Sequence, residues 1–288
     1  MQVWNRAMQK LTEEPEVGIG AMRFAYETRF GRMLTKAILC RKPVSDLYGA
    51  IQRSRLTRGK VQRFMRQYGI TAEDCEKQTF DSFNDFFTRR RRPQPDTTAP
   101  GELAAVADCK LTALPIGKDT VFTVKGVPYT LQELLENEAL AARFAGGWCL
   151  IFRLSPDDYH RYAYPDEGTQ EQTVHIPGVL HSVNPITGTL GVYRRNSRCY
   201  TLLHTHRFGD VVQMEVGALL VGRILNHEER VGAAFEKLQE KGYFAYGGST
   251  VILLLEPGRV QLDEDILNYS AQGIESKVRT GERIGQAL

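Results

Sequence analysis

At 288 residues, 42% apolar and 25% charged, the chain has the make-up of a soluble globular protein with a sizeable core, and the lack of an 18-residue apolar run argues against a spanning helix. Its opening MQVWNRAMQK lacks the apolar centre of a secretory signal, and five scattered cysteines without a CxxC pair argue against a disulfide framework and for a reducing compartment. The net charge of +3 hides an asymmetry: Arg23 to Arg66 holds twelve Lys/Arg against Glu27 and Asp46, so that span is +10 and the rest −7, which suggests an anionic partner surface, lipid or nucleic acid.

Residues 1–92 read as a helical, basic region. Met22 to Leu39 alternates Phe24, Tyr26, Phe30, Met33 and Leu34 with Arg23, Arg29, Arg32 and Lys36, a basic amphipathic pattern suited to a membrane surface. Pro43 interrupts it, and Ser45 is the expected N-cap of the next helix. Val61 to Tyr68 reads as a short helix closed by Gly69, and Thr71 opens an acidic helical turn, TAEDCEK. Packing against the body of the protein would explain the same apolar stripes, and the two roles can occupy two faces.

Residues 93–101, PQPDTTAPG, read as an extended linker. From 102 to 288 short apolar runs bounded by Gly, Pro and Asp read as strands, several apolar enough to be buried, with one helix from Leu131 to Phe144 among them. GALLVGRIL is left open between helix and strand, since periodicity does not decide a run of that length. The expected class is α+β: a β-rich body of mostly antiparallel sheets with membrane-facing helices at the N-terminus.

Four segments carry candidate chemistry. In YFAYGGSTVILLLEPG, Gly247 and Gly248 lead straight into Ser249 and an apolar strand. A tight turn with a backbone-bonded serine is the plain reading. The chemical one is that Gly248 leaves its carbonyl open to Ser249 Oγ, which with a base and oxyanion donors shifts the acyl group from nitrogen to oxygen; elimination and hydrolysis then leave a pyruvoyl terminus. RLSPDDYHRYAYPDEG sets His160 in a polar, aromatic loop after a strand, where function collects. GVLHSVNP supplies His181, and VADCK places Asp108 at the end of a β-like run, where it either orients a histidine or serves as a turn residue. His204 and His206 in LLHTHRFGD share a strand face as a metal pair would, but no third ligand lies nearby, and no metal site is expected.

Taken in order, these segments resemble the phosphatidylserine decarboxylase family. FNDFFTRRRRP at 83–93 is similar to its Phe-Asn-x-Phe-Phe-x-Arg signature, SPDDYHRY at 155–162 to its histidine motif and HSVNP at 181–185 to its Val-Asn-Pro segment. VVQMEVGALLVGRI at 211–224 fits the strand region that follows, and KGYFAYGGSTVILLLEPG at 241–258 resembles its self-cleavage motif in the Gly-Gly-Ser-Thr form.

The resemblance implies a proenzyme that cuts itself between Gly248 and Ser249 into a β chain, 1–248, and an α chain, 249–288, whose first residue becomes a covalent pyruvoyl cofactor. The pyruvoyl forms a Schiff base with the serine amine of phosphatidylserine and accepts the electrons released as carbon dioxide leaves, giving phosphatidylethanolamine. It implies His160 as the general acid and Asp108 as a member of the Asp-His-Ser processing triad, although Cys109 follows it where glycine is usual. Many members carry a second histidine, the processing base, where this chain has Ala163. His181 is the preferred substitute, ahead of His204 and His206; otherwise His160 does both tasks. A non-cleaving, catalytically silent membrane-binding homologue is the alternative.

The expected partners are phosphatidylserine in an anionic membrane, at the cytoplasmic face of the cell membrane as a peripheral protein, and the chain's own two fragments as a heterodimer that pairs again into a homodimer. Nucleic acid loses because the basic span shows no recognised motif for it. A serine hydrolase loses because Gly-Gly-Ser-Thr-Val is not the G-x-S-x-G elbow.

Overall fold

The most apolar run in the sequence, STVILLL, forms the strand Ser249–Leu255, with every residue buried. The computed structural model describes residues 1–14, 18–93, 95–124, 126–184, 187, 191–219, 223–246 and 249–288. Gly209–Val216 flanks the Ser249 strand on one side and Trp148–Leu154 on the other, both antiparallel. Arg198–Thr205 extends the sheet beyond the first, and Cys109–Pro115 then Glu275–Val278 beyond the second, again antiparallel. Continuous apolar runs suit these strands because both faces of the sheet are covered.

Cross-strand register sorts the side chains by face. Ser249 lies opposite Leu154, and Val251 opposite Phe152, which itself faces Leu111. One residue over, Thr250 lies opposite Arg153, and Arg153 opposite Lys110, so a short charged row crosses the end of the sheet where Ser249 begins.

A second, three-stranded sheet joins Arg223–Asn226, Glu240–Ala245 and Arg161–Ala163. It brings the His160 loop alongside the strand that runs toward Gly247, and Phe244 N donates to His160 O at 2.9 Å. The ambiguous GALLVGRIL therefore ends in a strand; Leu220, Val221 and Gly222 lie outside the described residues.

The α+β class with mostly antiparallel sheets is what the structure shows. The first residues differ from the helical expectation. Gln2–Asn5 adds in parallel to Glu275–Val278, and Lys10–Glu13 folds back on it as the edge. Trp4 stacks on Tyr269 at 4.4 Å, and Arg6 bridges Asp263, Asp265 and Glu282. Four-residue edge strands are too short to show a period, so long-range pairing decides them.

The expected Met22–Leu39 helix is broken at Thr28, which takes an extended conformation and caps the next helix through Gly31 N. Ser45 is not a cap: the helix runs Lys42–Arg53 with Pro43 in its first turn, where a missing N–H costs nothing. Gly69 does close its helix, in the left-handed conformation at φ 62°. TAEDCEK is a turn, because Cys75 bridges Arg91 in an isolated β-pair. Leu131–Phe144 is two helices, Leu131–Leu135 and Glu138–Arg143, parted by Glu136 at φ 52°. Among the described residues no helix is long and apolar enough to cross a membrane.

Candidate active site

Ser249 opens the central strand with no exposed surface. His160, equally buried, places Nδ1 3.1 Å from Ser249 Oγ. Its Nε2 lies 3.0 Å from the Ser155 carbonyl oxygen. A carbonyl only accepts, so Nε2 carries the proton, and Nδ1 offers its lone pair to the Ser249 hydroxyl. The geometry is that of a nucleophile paired with a general base whose tautomer is set by a third group.

Phe87 stacks on the imidazole at 3.9 Å and 26°. It ends the short helix Phe83–Phe87, capped by Ser82, whose Phe83, Phe86 and Phe87 fill a separate apolar cluster with Val61 and Phe80. The FNDFF run thus forms the wall of the histidine pocket. Arg89, two residues beyond Phe87 and also buried, sits over the Phe86 and Tyr159 rings. Burial, with the Arg89 charge second, holds the His160 pKa well below the ordinary histidine value.

That shift has a pH consequence. A chemistry needing neutral His160 should run undiminished from about pH 8 down to about pH 6.5, where an exposed histidine would already be half protonated. The unfolded chain takes up this proton near the usual value and the folded chain does not. The stability from His160 is therefore complete above about pH 6.5 and is lost as pH falls from there through the folded value. Rates of peptide-bond cleavage after a pH jump test this; a fall centred at the ordinary histidine value would contradict it.

Asp108 is also buried, but Thr280 N and Oγ1 donate to its Oδ1 at 2.9 and 3.0 Å, and Arg91 pairs with its Oδ2 at 2.7 Å. It is engaged by a guanidinium rather than an imidazole. Ala163 lies in the sheet wall, its N–H on Val106 O, and lines a cavity of about 560 Å³ together with Arg91, Tyr159 and Thr280. The partners of Asp108 therefore border the position where the resemblance expects a second histidine.

His181, the preferred substitute base, is elsewhere. Its Nδ1 lies 3.2 Å from Cys40 Sγ and its ring 6.2 Å from the Tyr26 ring, while Asn196 holds its backbone. It is His160, and not His181, that meets Ser249. His204 is bound on both nitrogens by carboxylates, Asp210 at 2.8 Å and Glu171 at 3.1 Å. His206 lies past the end of that strand, beside Glu167. Among the described residues no group of three or more His, Cys, Asp or Glu is placed to hold a metal ion. Gly248, the other half of the expected cleavage site, lies with Gly247 outside the described residues.

Phe87 and the Ser155 carbonyl are the site members that sequence reasoning missed. The FNDFF match pointed to the first without a role; a backbone carbonyl leaves no signal in side-chain chemistry.

A sequence model of a protein family described as phosphatidylserine decarboxylase matches residues 83–286. The chain is 40% identical over 287 residues to phosphatidylserine decarboxylase proenzyme 2 of Clostridium acetobutylicum, covering 99% of this chain and 98% of that protein. It is 37% identical over 292 residues to a phosphatidylserine decarboxylase proenzyme of Clostridium botulinum strain Kyoto, covering 99% of each. Against the proenzyme of that name from Clostridium perfringens strain SM101 it is 35% identical over 295 residues, again covering 99% of each.

Proposed function

The chain belongs to the phosphatidylserine decarboxylase family, and from that membership we propose that it cuts itself before Ser249 and then decarboxylates phosphatidylserine to phosphatidylethanolamine. The 3.1 Å contact between His160 Nδ1 and Ser249 Oγ is the observation that carries this reading.

In the cleavage, Ser249 Oγ bonds to the Gly248 carbonyl carbon as its proton passes to His160 Nδ1. The Gly248–Ser249 C–N bond breaks, and the departing nitrogen takes up a proton, leaving an ester. Loss of the residue-249 α-proton then breaks the Cβ–Oγ bond, and the Gly248 carboxylate leaves Cβ, taking Oγ with it. The dehydroalanine left behind takes up water and releases ammonia, which makes the terminus a pyruvoyl group.

The site fits that group: its precursor is wholly buried at the end of a central strand, against a neutral imidazole. Bound there, a pyruvoyl ketone supplies an electron sink for a substrate amine. His160 Nδ1 is then free to take a proton from the substrate's ammonium group and to deliver it to the substrate carbon that loses carbon dioxide, a second use of the same nitrogen. Phe87 keeps the ring oriented, and the burial of the site keeps water from competing.

The substrate is a lipid, and the proposal extends to docking on an anionic membrane, at the cytoplasmic face where such lipid concentrates. Leu47 and Ile51, one helical turn apart, are exposed, and so is Leu56, at 93%. Arg53, Arg55 and Arg58 are interleaved with them. Inserting a leucine contributes about 1.5–3 kcal/mol.

The test uses vesicles of phosphatidylserine labelled at the serine carboxyl. The cleaved protein is expected to release labelled carbon dioxide, and hydroxylamine, which captures a ketone, to stop it. Leu47→Asp with Leu56→Asp is expected to lower vesicle binding by roughly a hundredfold. Cleaved protein that floats with the vesicles and releases nothing would sink the decarboxylase reading. An uncleaved, silent chain would establish the alternative.

A further inference from the structure

Resting on that reading, we infer that Asp158, gripped by Lys110, is the positioning residue of the self-cleavage step, in place of the carboxylate that orients the base in a hydrolytic triad. Among the described residues no carboxylate bonds to either ring nitrogen of His160; its Nε2–H is on the Ser155 carbonyl. What fixes that carbonyl therefore fixes the tautomer.

Ser155 and Asp158 close a tight turn on each other. Asp158 N donates to Ser155 O at 2.9 Å, and Ser155 N donates to Asp158 Oδ2 at 2.7 Å. Lys110, 1% exposed, donates Nζ to both Asp158 oxygens at 2.9 Å. From the neighbouring strand, and directly across from Lys110, Arg153 donates from Nη1 to Ser155 Oγ at 3.0 Å while Glu275 pairs with it. Two cations of one sheet row thus hold both ends of the turn, and so tie its position to the sheet.

The chemical effect follows from the two tautomers of neutral imidazole, which are close in energy and are selected by hydrogen bonding. With the turn in place, Nε2–H is committed to Ser155 O, and Nδ1 is the base. With the turn loosened, the proton can sit on Nδ1, where it faces Ser249 Oγ and takes no proton from it. In the attack the Ser249 proton moves to Nδ1 while Nε2–H stays, so the imidazolium keeps an oriented acceptor for its second proton. Among the described residues no hydrogen bond joins Asp158 to Ser249 or to the ring, and its side chain acts through Ser155.

A buried ion pair that merely packs the loop predicts lower stability and no change of tautomer. Ring nitrogen NMR shifts separate the two. In Ser249→Ala, which stays whole, the His160 proton is expected on Nε2; adding Asp158→Asn should shift it substantially toward Nδ1. In the cleavable chain Asp158→Asn should slow cleavage at least tenfold, and Lys110→Arg should recover most of the rate lost in Lys110→Met. A parent rate in Asp158→Asn, or slow cleavage with an unchanged tautomer, overturns the inference. Because Asp158→Asn alone leaves the Lys110 charge buried, the pair Lys110→Gln with Asp158→Asn, which removes both charges, carries the same two readouts if the single variant does not fold. Failure of the parent chain to cleave would instead count against the proposed function.

Discussion

Replacing Ser249 by alanine is expected to leave a single 288-residue chain of 32.5 kDa where the parent yields two, of residues 1–248 and 249–288. In the proposed cleavage the hydroxyl oxygen is the attacking atom, and alanine offers none. The substitution removes one hydrogen bond and leaves His160 Nδ1 a buried, unfilled acceptor, at about 1–3 kcal/mol, which a domain with this core tolerates. Intact mass under denaturing conditions reads the result directly. Two chains from Ser249→Ala would mean that an outside protease makes the cut.

The parent's fragments should stay together until denatured. Ser249–Leu255 lies between two strands of the longer fragment, and Glu275–Val278 between Cys109–Pro115 and Gln2–Asn5. Arg6 adds a clasp, with three carboxylates of the shorter fragment on one guanidinium.

The second large effect is at His160. His160→Gln is expected to slow self-cleavage by roughly a hundred- to ten-thousand-fold, the usual worth of a general base. His181→Ala should cleave at close to the parent rate, since its ring lies against Cys40 and Tyr26. The two variants together decide between the histidines: cleavage in His160→Gln with a stall in His181→Ala would return the role to His181. The physical ground for His160 is its place. Its loop is pinned to the strand that approaches Gly247, through Phe244 N, and its ring is clamped between Phe87 and the Ser155 carbonyl, aimed at Oγ.

Much of this was legible in one dimension. STVILLL reads as a buried strand because a run apolar at every position needs cover on both faces, and it has that cover. Gly69 reads as a helix end because only an unhindered residue turns left-handed there without strain. The ordered motifs point to the family because each is a local string of residues, complete within a dozen positions.

What local strings leave open is which of them meet. Gln2–Asn5 is a strand only because Glu275–Val278 offers it an edge, across 272 residues. Asp108 and His160 each look like members of one catalytic set, yet Arg91 and Thr280 take the carboxylate while Ser155 takes the imidazole. His181 and His160 are equals as letters; sheet register and the turn between Ser155 and Asp158 separate them. Strand propensity and apolar patterning are properties of neighbours in the chain, whereas a proton moves between atoms 3 Å apart that lie 89 residues from each other, and only the packed sheet sets that distance.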